Sequence, residues 1–460
     1  MKKRVLVMVG MVSAILATIW ASSGGWAGAS SSHQTAVPVP SKFTTVPFKS
    51  SSLPGRMAPF LVAKDKPAIM KSGAQSETSI AVDPTNFKHL LSQCNDLANF
   101  ASYDCVYESF DRGLTWASAG FSVPTFCYDP WVRFNKAGDA FVAYECSDQR
   151  IAYRNHGETT WHYTTLQNSS LFPDRDAVVV DNNSGSALFN SVYVGYDEAN
   201  VSNAAHVWYS RNGKGGWVKS PKINDTGGTI GVNPATGPTG TVYATWEDWN
   251  AKKVFIDKST DGGATWSTDH VVTTYRMNTT SFFVCIPPQP NRCVVPMPFS
   301  AVDNSGGPHN GRIYVTYPDK DPVAADWNVY VRYSDDGGTT WSAETMINDD
   351  AGGAYQFFPA IAVTPSGTVG VSFYDTRADN ALDHKTNRYW SFSTDGGVTW
   401  AANQKLSSAQ SDESGAGDAN DYGDYEGTDA QTGNGMFQHV WTDSRVGSLA
   451  EDVWNVSSKQ

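Results

Sequence analysis

The sequence predicts an all-β fold, a seven-bladed β-propeller of four-stranded blades, and three observations predict it. The first is a turn unit that recurs along the chain. Ser109-Phe-Asp111-Arg-Gly113-Leu-Thr-Trp116, Ser259-Thr-Asp261-Gly-Gly263-Ala-Thr-Trp266, Ser334-Asp-Asp336-Gly-Gly338-Thr-Thr-Trp341 and Ser393-Thr-Asp395-Gly-Gly397-Val-Thr-Trp400 are intact copies. Arg154 to Trp161 and Ser210 to Trp217 are worn ones. The second is a looser repeat of two apolar strands around a Gly/Asn/Pro turn, ending in acidic residues. The third is a period of roughly sixty residues, which suits four short strands and their turns repeated around a ring.

The turn unit is a hairpin. Ser and Asp hydrogen-bond backbone N–H groups of the turn, Gly supplies a positive φ, and Trp packs beneath. Its Asp residues are therefore structural and not candidates for acid catalysis. The looser repeat has seven copies, whose second strands end at Asn95-Asp96, Glu145 to Asp148, Asp197-Glu198, Glu247-Asp248, Asp319, Asp375-Thr-Arg377 and Asp443-Ser-Arg445. Six copies are followed by a strand, a turn unit and another strand. The seventh is followed by Asp452-Val-Trp-Asn-Val456 alone, so blade seven lacks its outer strand. A strand from residues 30–76 can supply it and remove an open sheet edge. The alternative is a six-bladed ring with one irregular copy.

The N-terminus has the parts of a secretory signal peptide over residues 1–29. Lys2-Lys3-Arg4 is basic, Val5 to Trp20 is apolar and uncharged, and Ala27-Gly-Ala29 offers a cleavage site. The expected organisation is a signal peptide (1–29), a linker with the ring-closing strand (30–76) and one propeller domain (77–460). The expected location is secreted, periplasmic or at the cell surface, with no membrane span once the signal is removed. The net charge of −12 opposes nucleic acid as a partner. Six cysteines in an exported chain favour disulfides. Cys285 and Cys293 share one loop far from the others and are expected to pair. Cys94–Cys105 would then close a hairpin and leave Cys127–Cys146.

The S-x-D-x-G-x-T-W unit resembles the Asp-box (BNR) repeat of the sialidase-like β-propellers. The resemblance covers nearly the whole expected mature chain as a fold. It implies a carbohydrate or glycoconjugate partner and a monomer. It also leaves activity open, because a fold hosts many functions.

The repeats place the turn units on one face and the polar ends of the second strands on the other, round the axis. Loops from about Tyr275 to Pro298 and from Ser407 to Asp424 crowd that second face, as do Cys127-Tyr128-Asp129 and Asp174-Arg175-Asp176. Sialidases use three arginines, a Tyr nucleophile polarised by a Glu, and an Asp acid/base. Carried over, the resemblance implies Arg175, Arg377 and Arg445 as the arginines and Tyr425 as nucleophile. Glu247 or Glu426 would be its partner, and Asp129 or Asp174 the acid. Asp375, Asp443 and Asp248 join them as substrate-binding candidates. The Arg-Ile-Pro signature of sialidases is absent, and Arg56-Met-Ala-Pro59 is a poor stand-in. Two functions follow: a glycan-binding glycoside hydrolase, or a non-catalytic extracellular propeller that binds glycan or protein. No cofactor is expected; a structural divalent cation on the acidic face has no diagnostic spacing.

Overall fold

The computed structural model describes residues 61–459, apart from segments at 168–171, 200–202, 278–282, 325, 380–382, 414–420, 431–434 and 447–450. The expected signal peptide and the residues up to 60 lie outside this range. Among the described residues every regular element is a β-strand, and no helix is long and apolar enough to cross a membrane.

The strands form seven antiparallel sheets and one separate hairpin, Val284–Ile286 with Gln289–Val294. Strands are named A to D outward from the axis. The A strands are Gln75–Val82, Tyr128–Phe134, Pro173–Val180, Thr229–Thr236, Phe299–Val302, Gln356–Val363 and Gly427–Asp429. They surround a central cavity of about 300 Å³, lined by Trp131, Val178, Asn233, Ser300, Ile361 and Thr428 among others. The B strands lie between neighbouring sheets on both faces, so they read as unbroken apolar runs rather than alternating ones. Leu90–Asp96, Ala140–Glu145, Val192–Glu198, Val242–Asp248 and Val369–Asp375 are buried throughout. The D strand Ala117–Ser118 is exposed, as the rim requires.

The turn units join C to D. In all four intact copies Trp Nε1 donates to the Gly carbonyl at 3.2 Å. The Gly N–H donates to Ser Oγ at 2.8–2.9 Å. The Asp carboxylate accepts from the Thr hydroxyl, at 2.6 Å in Asp261 and Asp336, and this holds both acids down to about 2. These carboxylates are fully used by their own turns.

Blade seven is closed from the other end of the chain. Lys66–Ile69 pairs with Asp452–Lys459 in the register Lys66↔Asn455, Pro67↔Trp454, Ile69↔Val453, and Leu61–Val62 continues it against Ser458 and Lys459. Asn455 Nδ2 donates to the Lys66 carbonyl at 3.0 Å. Pro67 is tolerated because this is an outer strand, whose second edge needs no donor. All three expected disulfides are present: Cys94–Cys105, Cys127–Cys146 and Cys285–Cys293.

Two predictions follow from this closure. A chain starting at residue 70 should melt lower by about 5 °C or more, because the outer pairing of blade seven is lost and its edge exposed. An unchanged Tm would show that the edge contributes nothing. The second concerns His439, fully buried between Thr428 Oγ1 at 3.0 Å and Ser458 Oγ at 2.8 Å. Burial, then the Arg388 charge, lowers its pKa from 6.5 to about 3. The unfolded chain thus binds this proton first, and stability present above pH 6.5 is lost as pH falls toward 3. The stability advantage of wild type over His439→Gln should shrink through that window in chemical denaturation. A constant advantage would reject the assignment.

Candidate functional site

Five A strands carry a bulge at the same place. Their ladders skip between Ser76 and Ser79, Tyr128 and Trp131, Asp174 and Ala177, Ile230 and Asn233, and Phe357 and Ala360. Inside each bulge one residue is left-handed: Glu77 (φ 56°), Asp129 (49°), Arg175 (63°), Gly231 (73°) and Phe358 (44°). Left-handed backbone is costly for a side-chain-bearing residue, and bulges re-aim side chains. In blades five and seven, where the ladders begin at Phe299 and Gly427, the corresponding residues are Met297 and Tyr425. One half of the ring therefore presents Tyr425, Glu77, Asp129 and Arg175. The other half presents Gly231, Met297 and Phe358.

The bulges are held from the preceding blade. Asp129 N donates to Asn95 Oδ1 at 2.7 Å, Arg175 N to Glu145 Oε1 at 3.1 Å and Gly231 N to Asp197 Oδ2 at 2.8 Å. Asn95, Glu145, Asp197 and Glu247 occupy equivalent places at the ends of the B strands, opposite Ser76, Tyr128, Asp174 and Ile230. Glu247 makes no such bond, because Met297 N turns to the Val295 carbonyl at 2.8 Å. Burial, then Asp248, pushes the Glu247 carboxyl well above the usual range.

The next B-strand residue points to the other side of the sheet. It is acidic in six blades, and in five of these it clamps a cation. Asp96 takes Lys71 at 2.6 Å, Glu198 takes Lys219, and Asp319 takes Arg276 at 3.3 Å. Asp375 takes Arg377 at 2.6 Å, and Asp443 takes Arg445. Asp248 accepts from Thr226 Oγ1 at 2.7 Å instead. In blade two the position is Cys146, whose bridge to Cys127 replaces the clamp.

The site residues expected from sequence thus divide. Tyr425, Asp129, Asp174 and Arg175 come together. The Arg175 guanidinium lies 3.9 Å from the Tyr425 ring centre, 4.9 Å from Trp131 and 5.2 Å from Phe299. Asp129, Glu145 and Asp174 hold carboxylate oxygens within 4.8 Å of one another. The charges that act on Tyr425 are Asp129, Glu77, Arg175 and Asp176; burial and the acids push its phenol well above the usual range. Glu426 faces elsewhere, accepting from Thr442 N at 2.9 Å and from Tyr374 and Thr78.

Arg377 and Arg445 lie in the clamps. Arg377 donates to Asp375, to Asp349 at 2.6 Å and to Asn403 at 2.8 Å, and stacks on Tyr389. Arg445 donates to Asp443 and to Asp65 at 2.5 Å, and stacks on Trp454. Arg445 therefore ties the N-terminal outer strand into blade seven.

Two members of the axial group were missed from sequence. Glu77 accepts from Asn95 Nδ2, and Arg292 Nη2 lies 3.4 Å from its other oxygen. Arg292 also grips Asp424. It comes from the disulfide-bridged hairpin, which is pinned over the axis by Asn291 on Asp421 and Gln289 on the Gly423 carbonyl at 2.7 Å. Its signal was that Arg292 is the one charged residue between Val284 and Val294. Burial first, then neighbouring acids, raises Glu77, Glu145 and Asp174 well above the ordinary carboxyl range. Of the three clustered carboxylates Asp129, Glu145 and Asp174, Asp174 is the half-buried one.

Replacing Arg445 by Ala should cost about 3 kcal/mol, since it strands the buried Asp443 and Asp65. Ligand affinity of the folded fraction should stay within twofold of wild type. A normal melting curve with lost affinity would place Arg445 in the site after all.

The BNR/Asp-box repeat family model matches residues 332–343. No curated protein matches the sequence. Among solved structures, the leech intramolecular trans-sialidase complexed with 2,7-anhydro-Neu5Ac is similar, with 10% identity over 66% of this chain and 65% of that one, TM-score 0.45. The GH93 α-L-arabinofuranosidase of Fusarium graminearum with arabinobiose gives 14% identity over 72% and 92%, TM-score 0.44. A PL25 ulvan lyase gives 12% over 69% and 80%, TM-score 0.42. The recurring Ser–Asp–Gly–Thr–Trp turn takes the same hydrogen-bonded form between the C and D strands of four blades: the chain is a seven-bladed β-propeller that carries Asp-box turns.

Proposed function

We propose that the protein is an exported glycan-acting enzyme whose substrate meets the axial face bearing the hairpin, at Asp174 and the group behind it. The observation that carries this reading is the convergence of Glu77, Asp129 and Arg175, from the bulges of three consecutive blades, with Tyr425 at the corresponding position of blade seven. Tyr425 is the nucleophile. Its phenol is neutral at rest, its hydroxyl is buried without a hydrogen-bond partner, and the charges of Asp129 and Glu77 act on it through space. Arg175, against the ring, favours the phenolate that forms. Three disulfides agree with export.

A neutral glycan suits the site better than a sialoside. Glu77, Asp129, Glu145, Asp174, Asp176 and Asp424 outnumber Arg175 and Arg292, and Arg292 is engaged by Glu77 and Asp424. Arg377 and Arg445, which would complete a carboxylate-binding trio, are engaged by their clamps. A second reading, binding without turnover, is favoured by the complete burial of Tyr425.

The test is sugar release by the purified protein from a panel of neutral polysaccharides and sialosides, with glycan-array binding in parallel. Release from neutral glycans, reduced at least about a hundredfold in Tyr425→Phe, is expected. Release from sialosides alone would reject the substrate class. Array binding with no release would select the second reading, and neither signal would reject both.

A further inference from the structure

Glu145 and Asp174 are ladder-paired, to Tyr128 and Asp197, and Asp129 lies in the blade-two bulge held by Asn95, so their oxygens converge from fixed positions in blades two and three. We propose that Asp129, Glu145 and Asp174 form a divalent-cation site selective for Ca²⁺ over Mg²⁺.

The ligand set argues for the larger ion. The three carboxylates offer oxygens that all lie within 4.8 Å of one another, close enough to share one ion. Ca²⁺ takes about six to eight oxygens in flexible geometry and is commonly held by several carboxylates. Mg²⁺ demands near-ideal octahedral geometry and is usually held by one or two carboxylates with several waters. Three protein carboxylates from neighbouring blades therefore suit Ca²⁺.

An independent observation points to a missing cation. Asp176 is fully buried next to the cluster, with the Gln149 amide as its side-chain donor and no cation on its carboxylate. Glu145 accepts Arg175 N on Oε1, while its Oε2 is buried without a donor. The nearest fixed cation does not fill this need. Arg175 stacks on Tyr425 and sends its hydrogen bond to the Asp176 carbonyl, at 2.8 Å, rather than to a carboxylate. Arg292 is held on Asp424 and Glu77. Buried carboxylates without donors are unfavourable unless a cation joins them. An ion on Asp129, Glu145 and Asp174 would supply that charge. Its remaining coordination positions would open on the side of half-exposed Asp174, where water or a sugar hydroxyl can enter.

The site goes beyond the glycan reading and does not depend on it, because the probe is the metal alone. Purified full chain, stripped with a chelator, is titrated calorimetrically with CaCl₂ and with MgCl₂, and Tm is followed in parallel. One Ca²⁺ per chain is expected, with Kd near about 10⁻⁴ M or tighter, a raised Tm, and Mg²⁺ at least tenfold weaker. Asp174→Asn and Glu145→Gln should each weaken Ca²⁺ at least tenfold. Glu145→Gln keeps an acceptor for Arg175 N, so the blade contact survives. Asp261→Asn, in a turn unit on the other face, should bind Ca²⁺ like wild type. Absence of saturable Ca²⁺ binding would overturn the proposal. So would unchanged binding in folded Asp174→Asn and Glu145→Gln, or equal affinity for the two metals.

Discussion

The axial face depends on one hydrogen bond repeated between blades: the N–H of a bulge residue donated to a side chain at the end of the preceding blade's second strand. Asp129, Arg175 and Gly231 each make it, to Asn95, Glu145 and Asp197. A left-handed residue in a strand loses its ladder partner and carries backbone strain. The neighbouring side chain satisfies the N–H that the bulge frees, so the strain persists only within the closed ring. This links ring closure to the site. Blades that splay apart would release the bulges, and the side chains they aim would turn away from the axis.

Adjacent residues at the ends of the second strands divide two tasks because a strand alternates its faces. The inner residue, such as Glu145, supports the next blade's bulge. The outer one, such as Asp375 or Asp443, clamps a lysine or arginine and fixes a loop. The bulges supply a further asymmetry. Gly231 cannot carry a side chain, since a Cβ there would meet Met297 Sδ at 2.6 Å. With Met297 and Phe358 it makes the apolar half of the ring, opposite the polar half of Tyr425, Glu77, Asp129 and Arg175. Seven near-identical repeats thereby yield one directional site.

The fold was legible because its signals are local and repeated. The turn units specify their hydrogen bonds within eight residues, and the incomplete seventh repeat shows that a strand must be supplied from elsewhere. The site was legible only in part. Tyr425, Asp129, Asp174 and Arg175 stand just before the apolar runs of their first strands, where the repeat places the axis. Arg377 and Arg445 share an Asp-x-Arg spacing that equally encodes a local clamp, and their partners Asp349 and Asp65 are distant in sequence. Asp65 sits 380 residues before Arg445, in a stretch without a periodic pattern. Glu247 was singled out as an acid at the right height, but whether it supports a bulge is decided by the Met297 backbone, which composition does not reveal. Glu77 was overlooked because its role comes from a bulge, a one-residue slip that alternation alone conceals.

Arg292 shows what the hairpin adds. The acids of the axial group come from strands that the ring holds at fixed separations, so their mutual repulsion cannot relax by movement. A counter-charge must be brought to them. The hairpin delivers Arg292 onto Glu77 and Asp424, and its disulfide and its bonds to residues 421–423 limit how far that charge can stray. This serves the Glu77 side. At Asp129, Glu145, Asp174 and Asp176 no guanidinium arrives within hydrogen-bond reach of a carboxylate, since Arg175 is turned onto the Tyr425 ring. The two sides of the group thus differ in kind. One is neutralised by a tethered arginine; the other keeps its acids without a guanidinium and reaches solvent at partly exposed Asp174, so burial raises its carboxyls and favours their neutral form.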